Sequence, residues 1–192
     1  MKICFVVIEI GFFLSHRFAL VKAISNEHKV VLITDTSKAK PRDFLQLEDA
    51  GIEIIPLKKR QQSATLREYL RYVRELKKKI NACTPEYIFF TGIEISTFGA
   101  FIHNLIGVKK SFFLITGLGP FFLPNNFKTR LFRAINKIAY LFLMFNKNFR
   151  FIFQNQNDMD IFLGKNISNT SNSLLISGSG INTKEFPFFE RD

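Results

Sequence analysis

The chain has 192 residues, 47% of them hydrophobic and 24 of them Phe, and carries 27 Lys and Arg against 16 Asp and Glu, a formal charge of +11. That length suits one domain with its own core, and the apolar content excludes a disordered chain. The two cysteines, Cys4 and Cys83, give neither a disulfide framework nor metal-ligand spacing, and they read as structural thiols of a reducing compartment.

The chain opens on KICFVVI, an unbroken apolar run typical of a strand buried on both faces. The run is short and lacks a small-residue cleavage site, unlike a signal peptide. EIGFFL reads as a loop, and a helix is expected from Ser15 as its N-cap, with Phe18, Val21 and Ile24 facing inward. HKVVLIT (28–34) is the second strand, which completes the opening unit of an α/β sheet. A short helix over 43–50 stops at Gly51, and IEIIPL follows as a strand. A charged helix is expected over 64–81, with Leu66, Leu70, Val73, Leu76 and Ile80 as its apolar stripe.

The second half repeats the alternation: strand 87–90, helix 96–106, strand 109–116, a Gly/Pro/Asn loop and a long helix over 128–146. Strand FRFIFQ, helix 156–163, a polar loop and strand SLLIS (173–177) complete it. The pattern predicts a Rossmann-like α/β fold: an open, mainly parallel sheet of about seven strands, with helices on both faces and right-handed crossovers. The most apolar segment, 131–145, is too short and too charged to span a bilayer, since it carries Arg133 and Lys137.

The loop after the first strand is where a dinucleotide enzyme carries its glycines, yet only Gly11 is present and Phe12, Phe13 and Leu14 follow it. A NAD or FAD site is not expected there. The segment instead offers an aromatic lip and one imidazole, His16, in the first turn of the expected helix, where it either addresses a substrate hydroxyl or is a satisfied helix-terminal histidine. Arg17 reads as a solvated charge. Thr91, Gly92 and Glu94 follow the strand at 87–90; Glu94 suits sugar hydrogen bonding or base chemistry, and equally the first turn of a helix. His103 reads as structural. Gly117 and Gly119 suit a loop held against a ligand or a plain turn, and Asn155 and Gln156 suit helix capping. The last strand runs into Gly178 and Gly180, the flexible glycines of a ligand loop, so the chain reads as cut short soon after.

Two basic regions stand out. One is Lys58 to Arg60 with Arg67, Arg71, Arg74 and Lys77 to Lys79; the other is Lys128, Arg130, Arg133, Lys137 and Lys147 around a Leu- and Phe-rich helix. A solvated face accounts for each alone, and together they suit shallow attachment to an anionic membrane surface. No nucleic-acid module is present, and nucleic acid is not expected as a partner.

MKICFVVIEIGFFLSHRFALVKAISNEHKVVLIT, ITGLGPFF, FIFQNQNDMDIF and ISGSGINTKEFPF, in that order, resemble the family 4 glycosyltransferases, especially those building bacterial capsule and O-antigen glycans on polyprenyl-diphosphate lipids. The resemblance implies the GT-B fold, two Rossmann-like domains facing a cleft, with residues 1–181 as the acceptor-side domain, 182–192 as the start of a linker and the donor-binding domain beyond. It implies that Gly11, Phe12, Phe13 and His16 line the cleft with His16 near the reacting centre. Thr91, Gly92, Glu94, Gly117 and Gly119 shape the acceptor pocket, and Gly178 and Gly180 lie by the hinge and the donor phosphates.

Two positions depart from the family pattern: Asn182 where Asp is usual, and Gly117 where many members have His. The implied reaction moves a hexose or N-acetylhexosamine from a nucleotide-diphosphate sugar to a lipid-linked glycan, with no cofactor or metal, on the cytoplasmic face of the membrane. The fragment alone would transfer little. The alternatives are a non-catalytic membrane adaptor of a split transferase and a Rossmann-like module for another phosphorylated ligand.

Overall fold

The computed structural model describes residues 1–58, 66–119, 127–143, 147–163 and 172–180. The expected linker 182–192 with Asn182, the loop from 120 to 126 and the basic approach from 59 to 65 lie outside these residues.

Seven strands form one sheet in the order β3-β2-β1-β4-β5-β6-β7, every pair parallel. They are β1 (Lys2–Glu9), β2 (Lys29–Asp35), β3 (Ile52–Pro56), β4 (Tyr87–Thr91), β5 (Lys110–Ile115), β6 (Phe149–Phe153) and β7 (Ser173–Leu175). On one face lie α1 (Ile10–His16), α2 (Phe18–Ser25) and α3 (Pro41–Asp49), packed on Ile3, Phe5, Val7, Val30, Leu32 and Ile52. On the other lie α4 (Leu66–Cys83), α5 (Ile93–Ile102), α6 (Phe127–Leu143) and α7 (Gln156–Leu163), packed on Cys4, Val6, Val31, Ile33 and Phe90. The apolar strand runs thus serve two cores at once, as a parallel sheet requires.

Much of the phenylalanine excess goes into two ladders across the strands. Phe5, Phe89 and Phe112 stack at centroid separations of 4.8 and 4.5 Å on the α1 face. Phe90, Phe113 and Phe151 form the counterpart on the α5 face, at 5.3 and 5.5 Å. Register sets both, because Phe89 and Phe90 pair with Phe112 and Phe113 on the neighbouring strand. Cys4 and Cys83 are buried free thiols of the same core; the Cys83 thiol donates to Ile80 O at 3.2 Å, and burial pushes Cys4 well above the usual thiol range.

Several boundaries differ from expectation for local reasons. Helix α1 begins at Ile10, directly after β1, so EIGFFL is not a loop. Ser15 is no N-cap: it lies inside α1, where its hydroxyl donates to the Gly11 carbonyl at 2.8 Å. Helix α3 starts at Pro41, two residues early, because Pro suits the first turn and the Asp43 carboxylate accepts the Lys40 N–H at 2.8 Å. In α4 the buried stripe runs through Tyr72, Leu76, Ile80 and Cys83, while Leu70 faces solvent.

Helix α5 is buried on all sides, and Gly99 is the reason it can approach the sheet so closely. A Cβ at Gly99 would sit 2.5 Å from Cγ of Phe90, a ring locked by its stack on Phe113. Gly99→Ala is expected to destabilise the domain by about 1–3 kcal/mol through overpacking. Urea denaturation measures this; an unchanged midpoint would contradict the packing described.

Candidate functional site

Because all strands run the same way, every strand-to-helix connection leaves from one edge of the sheet. The winding direction reverses between β1 and β4, so α1 and α5 depart to opposite faces and leave a crevice between their starts. Ligands of open α/β sheets bind at such a reversal.

Gly11 lies exposed in the first turn of α1, and a Cβ there would meet nothing within 4 Å. Phe12 is half-buried and stacks on His16, with centroids 4.6 Å apart and planes at 12°. His16 closes α1 rather than opening a helix, six residues or about 9 Å along the axis from Ile10. Its ring is exposed, leans back on Phe12, and shares a 2.7 Å hydrogen bond between Nδ1 and the Ser15 hydroxyl. Phe13 is a correction to the sequence reading. Its ring is fully buried against Phe5 at 6.5 Å, which leaves it no surface for an acceptor.

On the β4 side, Gly92 takes φ +90°, a backbone setting that favours glycine, and its N–H donates to Leu114 O at 2.9 Å. Glu94 is half-buried in the first turn of α5. Gly117 and Gly119 follow the neighbouring strand β5, so the structure gathers them with Thr91, Gly92 and Glu94. Gly178 and Gly180 do not join them. They follow β7, three strands from β4 or about 14 Å away, near Gln154, whose amide donates to Ser179 Oγ at 3.1 Å. Asn155 caps α7 by accepting the Asp158 N–H at 2.7 Å. His103 is buried, bonded to Ser111 Oγ at 2.8 Å and boxed by Phe113 and Phe149.

Arg17 is the second correction. It is not a solvated charge but only 6% exposed, on a stripe that runs Phe13, Arg17, Val21. Backbone bonds from Arg17 N–H to Phe13 O at 2.8 Å and from Val21 N–H to Arg17 O at 3.0 Å carry the helical course through the α1–α2 break. The four-residue spacing from Phe13 was the available signal in the sequence; the charge drew the reading away from it.

Three buried polar atoms have no hydrogen-bond partner among the described residues: Arg17 Nε, Thr34 Oγ1 and Thr91 Oγ1. The two threonines pair with Val7 from either side, so they lie in one row, roughly 10 Å apart, on the sheet face that α1 and α2 cover. Thr91 is therefore 1% exposed and not part of an open pocket wall.

No family model matches the chain. Among curated proteins it is 25% identical over 185 residues to the N,N'-diacetylbacillosaminyl-diphospho-undecaprenol alpha-1,3-N-acetylgalactosaminyltransferase of Campylobacter jejuni, covering 91% of this chain and 47% of that one. Among solved structures it is similar to Anabaena HepE in complex with UDP and glucose, with TM-score 0.61, 12% identity and coverage of 96% of this chain and 46% of that one. A glycosyltransferase of Rickettsia africae gives TM-score 0.58, 15% identity and coverage of 97% and 45%. MurG of Acinetobacter baumannii gives TM-score 0.54, 11% identity and coverage of 96% and 47%. The fold is that of a Rossmann-like GT-B amino-terminal domain, and the chain spans about half the length of these proteins.

The unpartnered threonine gives a direct check. Thr91→Val removes a hydroxyl that bonds nothing among the described residues, so the isolated chain should keep its stability or gain up to about 1 kcal/mol in urea denaturation. A loss of that size would show that the hydroxyl is satisfied in solution.

Proposed function

We propose that this chain is the acceptor-side domain of a sugar transferase. The enzyme would move a hexose or N-acetylhexosamine from a nucleotide-diphosphate sugar to a lipid-linked glycan of the capsule or O-antigen kind. The observation that carries this reading is the similarity, along 91% of the chain, to an N-acetylgalactosaminyltransferase named for a diphospho-undecaprenol acceptor. The GT-B-type fold and the crevice at the β1–β4 reversal support it.

In this reading the crevice receives the acceptor. The acceptor hydroxyl attacks the anomeric carbon, the bond to the nucleotide diphosphate breaks, and the hydroxyl proton leaves to base or solvent. A donor-binding domain, facing Gly178 and Gly180, would supply most of the stabilisation of the leaving diphosphate. The exposed Phe12–His16 stack would rest on a sugar face and hydrogen-bond its hydroxyls, with Glu94 and Gly117 on the opposite wall.

The proposal includes peripheral attachment at the cytoplasmic face of the membrane. No helix among the described residues is long and apolar enough to cross a membrane. Helix α6, however, is apolar on two sides. Its inner side buries Asn136, Ala139 and Leu143, while Phe127, Leu131, Ile135, Ile138 and Phe142 form an exposed stripe, with Phe127 80% accessible. Exposed Arg130 and Lys137 flank that stripe. An apolar stripe bordered by cations suits the headgroup region of an anionic bilayer.

Two outcomes follow. His16→Ala in the complete enzyme is expected to cut transfer to an undecaprenyl-diphosphate-linked saccharide by roughly 10²-fold, measured as turnover across a panel of nucleotide sugars. Unchanged turnover removes His16 from the site, and no transfer with any donor sinks the transferase reading. Separately, the chain should float with vesicles containing anionic phosphatidylglycerol, and Ile138→Asp should abolish most of that association; equal flotation of both proteins would remove α6 from the membrane.

A further inference from the structure

A serine hydroxyl carries one proton, so once that proton is given to an acceptor the oxygen can only accept from its other partners. Ser15 lies inside α1, and its Oγ is 2.8 Å from Gly11 O and 3.2 Å from Phe12 O. Both carbonyl oxygens are acceptors without a proton of their own, so the Ser15 proton lies toward them. Turned elsewhere, it would leave lone pairs facing each other at 2.8 Å. The remaining neighbour of that oxygen is His16 Nδ1, at 2.7 Å. With the hydroxyl proton committed to the helix backbone, this contact is a hydrogen bond only when Nδ1 carries a proton and donates it. The ring is further held by its stack on Phe12, with planes at 12°. Nε2 of the same ring has no hydrogen-bond partner among the described residues.

We infer that Ser15 is a positioning residue that holds neutral His16 in its Nδ1–H form, so that Nε2 presents a lone pair to a ligand hydroxyl. A neutral imidazole has one donor and one acceptor nitrogen, and the bond made by one fixes the role of the other. A bare Nε2 accepts from a hydroxyl and repels a phosphate or carboxylate oxygen, which has no proton to give. The class of group that His16 addresses is thus set by the serine beside it. That the hydroxyl belongs to the acceptor saccharide rests on the transferase reading; the state of the ring rests on Ser15 and the α1 backbone alone.

The first readout is spectroscopic and needs no activity, so its failure is separable from failure of the transferase reading. Nitrogen–proton NMR spectra of the isotope-labelled 192-residue chain distinguish a protonated ring nitrogen from a bare one. They are recorded at about pH 8.5, where an ordinary imidazole is neutral. The His16 signals are those missing from His16→Gln. Ser15 is exposed and Ala favours a helix, so Ser15→Ala keeps the fold. The expected result is a protonated Nδ1 in the parent and in Ser15→Thr, whose hydroxyl makes the same backbone bond, and a shift toward protonated Nε2 in Ser15→Ala. Protonated Nε2 in the parent, or the same tautomer balance in all three proteins, overturns the inference. The second readout is turnover of the complete enzyme with a lipid-linked saccharide. Ser15→Ala should lower it roughly three- to tenfold when His16 is present. In a His16→Ala background the same change should do nothing, because the serine acts only through the ring. Equal losses in the two backgrounds make Ser15 a structural residue and overturn the positioning role. An enzyme that transfers nothing removes the saccharide hydroxyl, while the tautomer still stands or falls on the spectra.

Discussion

Residues Ile3 to Val7 of β1 pair in parallel with β2 on one side and β4 on the other, with side chains feeding two separate cores. The β1–β4 pair marks the point where the winding direction reverses, and α1 and α5 leave it to opposite faces. The β1–β4 ladder therefore fixes the angle and separation of α1 and α5, and with them the width of the crevice. The phenylalanine ladders strengthen this seam, since Phe5 stacks on Phe89 across it. The place of the crevice is thus set by backbone pairing rather than by the side chains that line it.

Almost all of the architecture was legible in the sequence, because buried parallel strands announce themselves as apolar runs between amphipathic helices. Helix α7 is the clearest case: Asn155 and the pattern after it set its first turn, and the structure begins it at Gln156. The misreadings cluster at the β1–α1 junction. EIGFFL carries a glycine and no strong cap, which reads as a loop, yet burial of Ile10 and Phe13 pulls it into a helix. Tertiary packing there overrides the local signal.

The candidate site was legible in its location and less so in its members. The reversal point follows from strand order, and the segments after β1, β4 and β5 do meet there. Which side chain of GFFLSHR faces in and which faces out depends on the phase of a helix that local signals did not reveal. Phe13 and Arg17 turn inward, Phe12 and His16 outward. A single shift of that phase exchanges a core ring for a cleft ring, and a surface charge for a buried one.

Helix α6 is held by a polar clasp. Thr97 Oγ1 lies 2.6 Å from Asn136 Oδ1, Tyr140 donates its hydroxyl to the same oxygen at 3.1 Å, and the Asn136 amide donates to Phe132 O at 2.8 Å. Buried bonds of this kind have one satisfying arrangement, so the helix cannot roll about its axis without leaving them unmade. Peptides that fold as they meet a lipid surface surrender chain entropy at that moment. This helix arrives folded and locked in azimuth, so any apolar plane it meets is met by the whole domain as one rigid body, at a single tilt. The heading of the crevice relative to that plane is then a property of Asn136 as much as of the residues that touch it.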